Sequence, residues 1–200
     1  MRRPLFIMGK REVIAVKKIL FTGSGVAIVT PFKDGKVNLS SFGRLIDRQI
    51  AGGTDAIIVC GTTGEAATMT QSERAEVIAC CVDRVAGRVP VIAGTGANDT
   101  RVACGNALAA ERLGADGLLI VTPYYNKATQ QGLLRHYKAI ADSVTTPIIL
   151  YNVPSRTGVN ILPETYAELA RHPNVVGVKE ACGDLSQVQK TRNLCPADFA

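Results

Sequence analysis

Six apolar runs rich in Val and Ile, at residues 25–32, 56–61, 91–96, 117–122, 147–153 and 175–179, recur about every 30 residues, the length of one β/α step. Their apolar character is continuous rather than alternating, which is the pattern of strands covered on both faces in a parallel sheet. The segments between them begin and end like helices. Thr70-Gln71-Ser72-Glu73 is a capping box ahead of Val77, Ile78, Cys81, Val82 and Val85, and Gly87 stands where a C-terminal cap is expected. Asp99 or Thr100 can cap the next helix, and Pro163 fits the first turn of a later one.

No step carries a G-x-G-x-x-G turn at a strand end, so a TIM-type (β/α)8 barrel is favoured over a doubly wound sheet. Gly94-Thr95-Gly96 lacks the third glycine and reads as a tight turn. The final Ala197-Asp198-Phe199-Ala200 reads as the start of a seventh strand. A closed barrel needs roughly 250 residues. Residues 21–200 are therefore expected to be the N-terminal part of a barrel truncated after about six β/α units, preceded by a poorly ordered basic extension at residues 1–20.

Composition narrows the function classes. The chain is 46% hydrophobic and 20% charged, ordinary values for a globular domain. The net charge is +6, but Arg2, Arg3, Lys10, Arg11, Lys17 and Lys18 crowd the first eighteen residues against a single acid, Glu12. A basic tail on a near-neutral body is not the spread footprint of a nucleic-acid binder. The six cysteines form no C-x-x-C and sit in apolar periodic segments, as buried or partly buried free thiols do in a reducing cytosol. The apolar stretches at 5–8 and 13–16 are too short for a signal h-region or a membrane span. A cytoplasmic location with no membrane or nucleic-acid partner is expected. His136 and His172 read as solvated helix residues.

Barrel chemistry gathers at the C-terminal strand ends. Those ends carry Gly61-Thr62-Thr63-Gly64-Glu65, Tyr124-Tyr125-Asn126, Tyr151-Asn152, Arg156 and Lys179-Glu180. No carboxylate pair with metal-ligand spacing joins them, and neither a metal nor an organic cofactor is called for. Lys179 follows Val175-Val176-Gly177-Val178, and alternation puts Val175, Gly177 and Lys179 on one side. If that side is the barrel interior, desolvation lowers the lysine's pKa toward the range where a neutral amine attacks a carbonyl and forms a Schiff base. A lysine that simply reaches solvent at a strand end is the ordinary alternative. Tyr151, in a buried strand, needs a polar partner or a proton-transfer task. Gly61 and Gly64 permit a turn whose N–H groups, with the Thr62 and Thr63 hydroxyls, can receive a carboxylate, and Arg156 can hold a second.

Residues 61–65, 121–126, 150–158 and 176–180, four motifs in order, resemble the dihydrodipicolinate synthase family of pyruvate-dependent lyases from about Phe21 to Ala200. The resemblance implies that Lys179 forms an imine with pyruvate. Its enamine then adds to L-aspartate 4-semialdehyde to give 4-hydroxy-tetrahydrodipicolinate, on the diaminopimelate and lysine path. It further implies a proton relay of Thr62, Tyr125 and Tyr151, a pyruvate-carboxylate site at Thr62 and Thr63, and a semialdehyde-carboxylate contact at Arg156. Tyr125 would enter a neighbouring subunit's site, which implies a homo-oligomer, a dimer or a tetramer. In lysine-inhibited members an acid follows the asparagine corresponding to Asn98 by four positions, and histidines follow the Gly-Thr-Thr-Gly-Glu loop. This chain has Val102, Gln71 and Arg74 there, so weak or absent lysine inhibition is expected. An N-acetylneuraminate lyase, a 2-keto-3-deoxy sugar-acid aldolase and a non-catalytic truncated gene product are the competing readings, and Arg156 argues against the neuraminate lyase.

Overall fold

The computed structural model describes Lys17 and residues 19–200 of the chain. The expectation for a basic extension falls largely on residues 1–16 and 18, which lie outside the described residues. The core is a six-stranded, all-parallel sheet in the order β1 (Gly25–Ala27), β4 (Ala56–Val59), β5 (Val91–Gly94), β6 (Gly117–Val121), β7 (Ile148–Asn152) and β8 (Val175–Glu180). Strand order follows chain order with a helix after each step, which is the winding of a TIM-type barrel and not of a doubly wound sheet. The helices are α1 (Leu39–Ala51), α2 (Gln71–Val85), α3 (Thr100–Arg112), α4 (Gln130–Ser143), the short α5 (Pro154–Thr157), α6 (Pro163–Leu169) and α7 (Leu185–Leu194).

The continuous apolar runs divide between two cores. Ile57, Val59, Val91, Leu118, Ile120 and Leu150 pack against the helices, together with Phe42, Val77, Tyr137 and Tyr166. Ile58, Ile92, Leu119, Tyr151 and Val153 form a second, smaller cluster of residues of the opposite parity on the concave side. This division explains why the runs show no polar face.

The helix starts are local chemistry. The Thr70 side chain accepts from the Glu73 N–H while Glu73 accepts from the Thr70 N–H, completing the expected capping box. Asp99 takes the N-cap of α3 and accepts from the N–H groups of Arg101 and Val102; Pro163 opens α6. At the end of α2 the left-handed cap is Ala86, one residue before Gly87.

Three sequence expectations are corrected. The run at 25–32 is not one strand. Beyond Ala27 the chain leaves the sheet, and Phe32–Lys33 (β2) and Lys36–Val37 (β3) form an antiparallel hairpin. Its turn places both Asp34 and Gly35 at positive φ, the Asp-Gly signal of a two-residue hairpin. Gly94-Thr95-Gly96 is not a tight turn. Gly94 ends β5, and a Cβ there would lie 2.2 Å from the Cys60 carbonyl oxygen, while one at Gly96 would lie 2.7 Å from the Val121 nitrogen. Close backbone approach requires these glycines. Finally, Val175 joins the helix-side core instead of sharing a face with Lys179. The register slips between Ile148, paired with Val175, and Ile149, paired with Gly177, and such an irregularity breaks the two-residue period.

At the far edge, Ala200 exchanges backbone hydrogen bonds with Val176 and Val178 at 3.0 and 2.8 Å, and Phe199 is buried. These residues continue the sheet beside β8, as the terminal sequence suggested. The thiols of Cys60, Cys81 and Cys195 are buried and the other three are half-buried, all free, again as expected.

Candidate functional site

The strand register brings Lys179 and Tyr151 together. They are direct partners on β8 and β7, and the Lys179 Nζ lies 4.5 Å from the centre of the Tyr151 ring. An ammonium over a tyrosine face is held by the ring quadrupole. Burial pushes the Lys179 amine below its ordinary pKa, and it makes no salt bridge among the described residues. Desolvation thus biases the amine toward its neutral form, and no carboxylate among the described residues pairs with it to oppose the bias.

Beside this pair opens a cavity of about 330 Å³ lined by Thr62, Glu65, Arg74, Tyr124, Tyr151 and Arg156, among others. A second cavity of about 280 Å³ holds Lys179 with Phe21, Ile58, Ile92 and Ile149, and Leu119 lines both. Lys179 therefore lies in the second cavity, and Tyr151, against which its amine rests, lines the first.

The loop after β4 is held by two turns: Gly64 N–H donates to the Gly61 carbonyl and Glu65 N–H to the Thr62 carbonyl, both at 3.1 Å. The Thr62 and Thr63 N–H groups have no protein acceptor among the described residues. Cys60, Glu65 and Tyr125 have positive φ, a backbone state disfavoured for side-chain-bearing residues and found at turns and sites. The Cys60 thiol is pushed up by burial to about 11, so it stays protonated and unreactive.

Among the described residues, the side chains of Thr62, Thr63, Tyr125, Tyr151, Arg156 and Lys179 make no hydrogen bond within the protein, although polar neighbours such as Asn152, Asn160 and Glu180 are fully engaged. Tyr151 does so while only 8% exposed. Thr62, Tyr151 and Arg156 are brought to the first cavity, while Lys179 lines the second and reaches the first only through the Tyr151 ring it rests on. Tyr125 stands apart, 89% exposed, and Thr63 is exposed on the rim beside Thr62.

Two features were missed in the sequence. Arg74, read only as a departure from a lysine-responsive pattern, lines the cavity and donates to the Gly94 carbonyl at 2.9 Å. Its position three residues into α2, facing the strand ends, was the available signal. The histidine reading is overturned. His136 lies in α4 but is 5% exposed, with Nδ1 2.9 Å from the Thr100 hydroxyl and Nε2 unpartnered. His172 is in the loop after α6, half-buried and beside Asp142. No group of three His, Cys, Asp or Glu among the described residues could hold a metal ion, and no described helix is long and apolar enough to cross a membrane.

A β/α frame of TIM type with an uncommitted, partly desolvated lysine at its strand ends defines the class of protein. Residues 20–200 match the family model of the dihydrodipicolinate synthetase family. The chain belongs to that family. It is 59% identical over 178 residues to the 4-hydroxy-tetrahydrodipicolinate synthase of Caldicellulosiruptor bescii, covering 88% of this chain and 60% of the relative. The corresponding enzyme of Alkaliphilus oremlandii is 56% identical over 180 residues, covering 90% and 62%. The crystal structure of dihydrodipicolinate synthase from Aquifex aeolicus superposes with a TM-score of 0.88 at 46% identity, over 90% of this chain and 62% of that one. The chain spans about 60% of the length of the relatives it matches.

Proposed function

We propose that this chain carries the imine-forming half of a synthase that condenses pyruvate with L-aspartate 4-semialdehyde to 4-hydroxy-tetrahydrodipicolinate, in diaminopimelate and lysine biosynthesis. The observation that carries the reading is Lys179: an amine with its pKa lowered by burial, lying on the Tyr151 ring and without an acidic partner among the described residues. Its neutral Nζ attacks the pyruvate C2 carbonyl, and the carbinolamine loses water to give the imine. Loss of a methyl proton gives the enamine, whose carbon attacks the semialdehyde aldehyde. The substrate amine then attacks the imine carbon, closing the ring and freeing Lys179.

Tyr151, whose hydroxyl is otherwise uncommitted, is the proton carrier at the carbinolamine oxygen, in series with Thr62 and with Tyr125 of a neighbouring copy. The exposed Tyr125 suits such a contribution in trans, so a homo-oligomer, dimer or tetramer, belongs to this reading. The free N–H groups and hydroxyls of Thr62 and Thr63 receive the pyruvate carboxylate. Arg156, which pairs with no carboxylate among the described residues, receives that of the semialdehyde. A cytoplasmic location fits its small polar substrates and free thiols.

Borohydride reduction in the presence of pyruvate, followed by mass spectrometry of the Lys179 peptide, tests the mechanism; an unmodified peptide refutes it. Coupled assays with pyruvate plus aspartate semialdehyde against pyruvate plus N-acetylmannosamine test the substrate, with turnover expected only in the first. Lysine inhibition is expected to be weak, since Arg74 occupies the cavity and Val102 offers an ammonium nothing. Titrating lysine into the first assay checks this, and strong inhibition would contradict it.

A further inference from the structure

Directly behind the Lys179–Tyr151 pair, the next register pair is Asn152 and Glu180. Asn152 is fully buried, and its amide donates to Glu180 Oε1 at 2.8 Å and to Asn160 Oδ1 at 2.7 Å. Glu180 Oε1 also accepts from the Cys182 N–H at 3.0 Å. Its other oxygen accepts from the Tyr166 hydroxyl at 2.8 Å and from Gln187 Nε2 at 3.2 Å. One carboxylate thus gathers four donors, from β7, from α6, from α7 and from the turn that follows β8. No cation pairs with it among the described residues.

Networks of this kind are costly unless every member is satisfied, and once satisfied they fix a single arrangement. The four donors need an acceptor at this place, since an apolar residue would leave the Asn152 amide, the Tyr166 hydroxyl and the Cys182 N–H without this partner. What the carboxylate adds is a fixed end for β8. Successive strand residues face opposite sides, so anchoring Glu180 on the helix side sets the direction and depth of Lys179 on the cavity side. Past the irregularity at the start of β8 the pairing runs regularly from Gly177 to Glu180, and the carboxylate fastens its last pair.

We infer that Glu180, held by Asn152, Tyr166 and Gln187, is a positioning residue that keeps Lys179 at its partly desolvated place over Tyr151. The inference rests on the proposed imine chemistry of Lys179. Its loss lets the end of β8 shift, exposes the amine to water and returns it toward ordinary basicity. Glu180→Gln places an amide against the Gln187 amide, donor to donor, while keeping size. Glu180→Gln combined with Gln187→Glu restores an acceptor opposite position 180 while giving up the Gln187 donation to the Ile161 carbonyl, and Tyr166→Phe removes one donor with little change in volume.

The test is the rate of borohydride-trapped pyruvate adduct at Lys179 as a function of pH, measured on the folded chain alongside its thermal unfolding. In Glu180→Gln the trapping rate near neutrality should fall about tenfold, as small misplacements of a reacting group do. The midpoint of the pH profile should move up by roughly one unit as the amine is resolvated. The double variant should recover both, and Tyr166→Phe should shift both in the same direction by less.

A merely structural network would lower the unfolding temperature and leave the midpoint and rate of the folded protein unchanged, and that result overturns the inference. If Glu180→Gln does not fold, the Tyr166→Phe profile decides alone, and an unshifted midpoint there overturns it equally. If the unsubstituted chain gives no adduct while folded, the imine reading itself falls, which the variants' profiles cannot mimic.

Discussion

At the residue scale, the uncommitted side chains are the informative ones. Tyr151 is 8% exposed as a residue and its hydroxyl has no partner among the described residues, an arrangement that is costly unless a ligand or water completes it. Tyr151→Phe should therefore fold at least as stably as the parent and lose turnover by about a hundredfold if the hydroxyl moves a proton. Steady-state rates and a melting curve separate the two effects, and unchanged turnover would remove Tyr151 from the relay. His136 makes the opposite case, a buried titratable group apart from the cavity. Burial pushes its imidazole down to about 4 from 6.5. Between those values the unfolded chain binds a proton that the native one refuses, so stability from this site is intact above about pH 6.5 and drains away as pH falls toward 4, by a few kcal/mol at most. Chemical denaturation of His136→Gln at several pH values should show a shallower acid loss in that window than the parent. Equal slopes would mean His136 does not titrate there.

At the scale of elements, the clearest local code is the capping box that starts α2 directly after the loop carrying Thr62 and Thr63. Thr70→Ala leaves the Glu73 N–H without its acceptor and should cost about 1 kcal/mol, read as a lower denaturation midpoint with an unchanged slope. Asp99, Pro163 and the box itself were legible because a cap is written in three or four adjacent residues. The hairpin at Phe32–Val37 was signalled by Asp34-Gly35 but hidden by the apolar run that precedes it. The slip within β8 was not legible at all, since a register depends on the neighbouring strand.

At the scale of the whole molecule, the described sheet is open, with β1 at one edge and Ala200 lying beside β8 at the other. An edge strand presents unpaired N–H and C=O groups that template pairing with another chain. Expressed by themselves, residues 1–200 should sediment partly as larger species, increasingly so with concentration. A single monomeric boundary at all concentrations would contradict this.

The sequence by itself determined the winding, the starts of α2, α3 and α6 and the set of residues at the strand ends, because these rest on period, caps and chain order. Lys179, Tyr151, Thr62 and Arg156 could be named from it. Only the tertiary structure decided that Lys179 lies on the Tyr151 ring without an acidic partner among the described residues, that Arg74 lines the cavity beside Tyr151 and that His136 is buried. It alone revealed Glu180 gathering donors from elements far apart in the chain. Desolvation and hydrogen-bond satisfaction are properties of what surrounds a group, and those surroundings come from remote parts of the sequence.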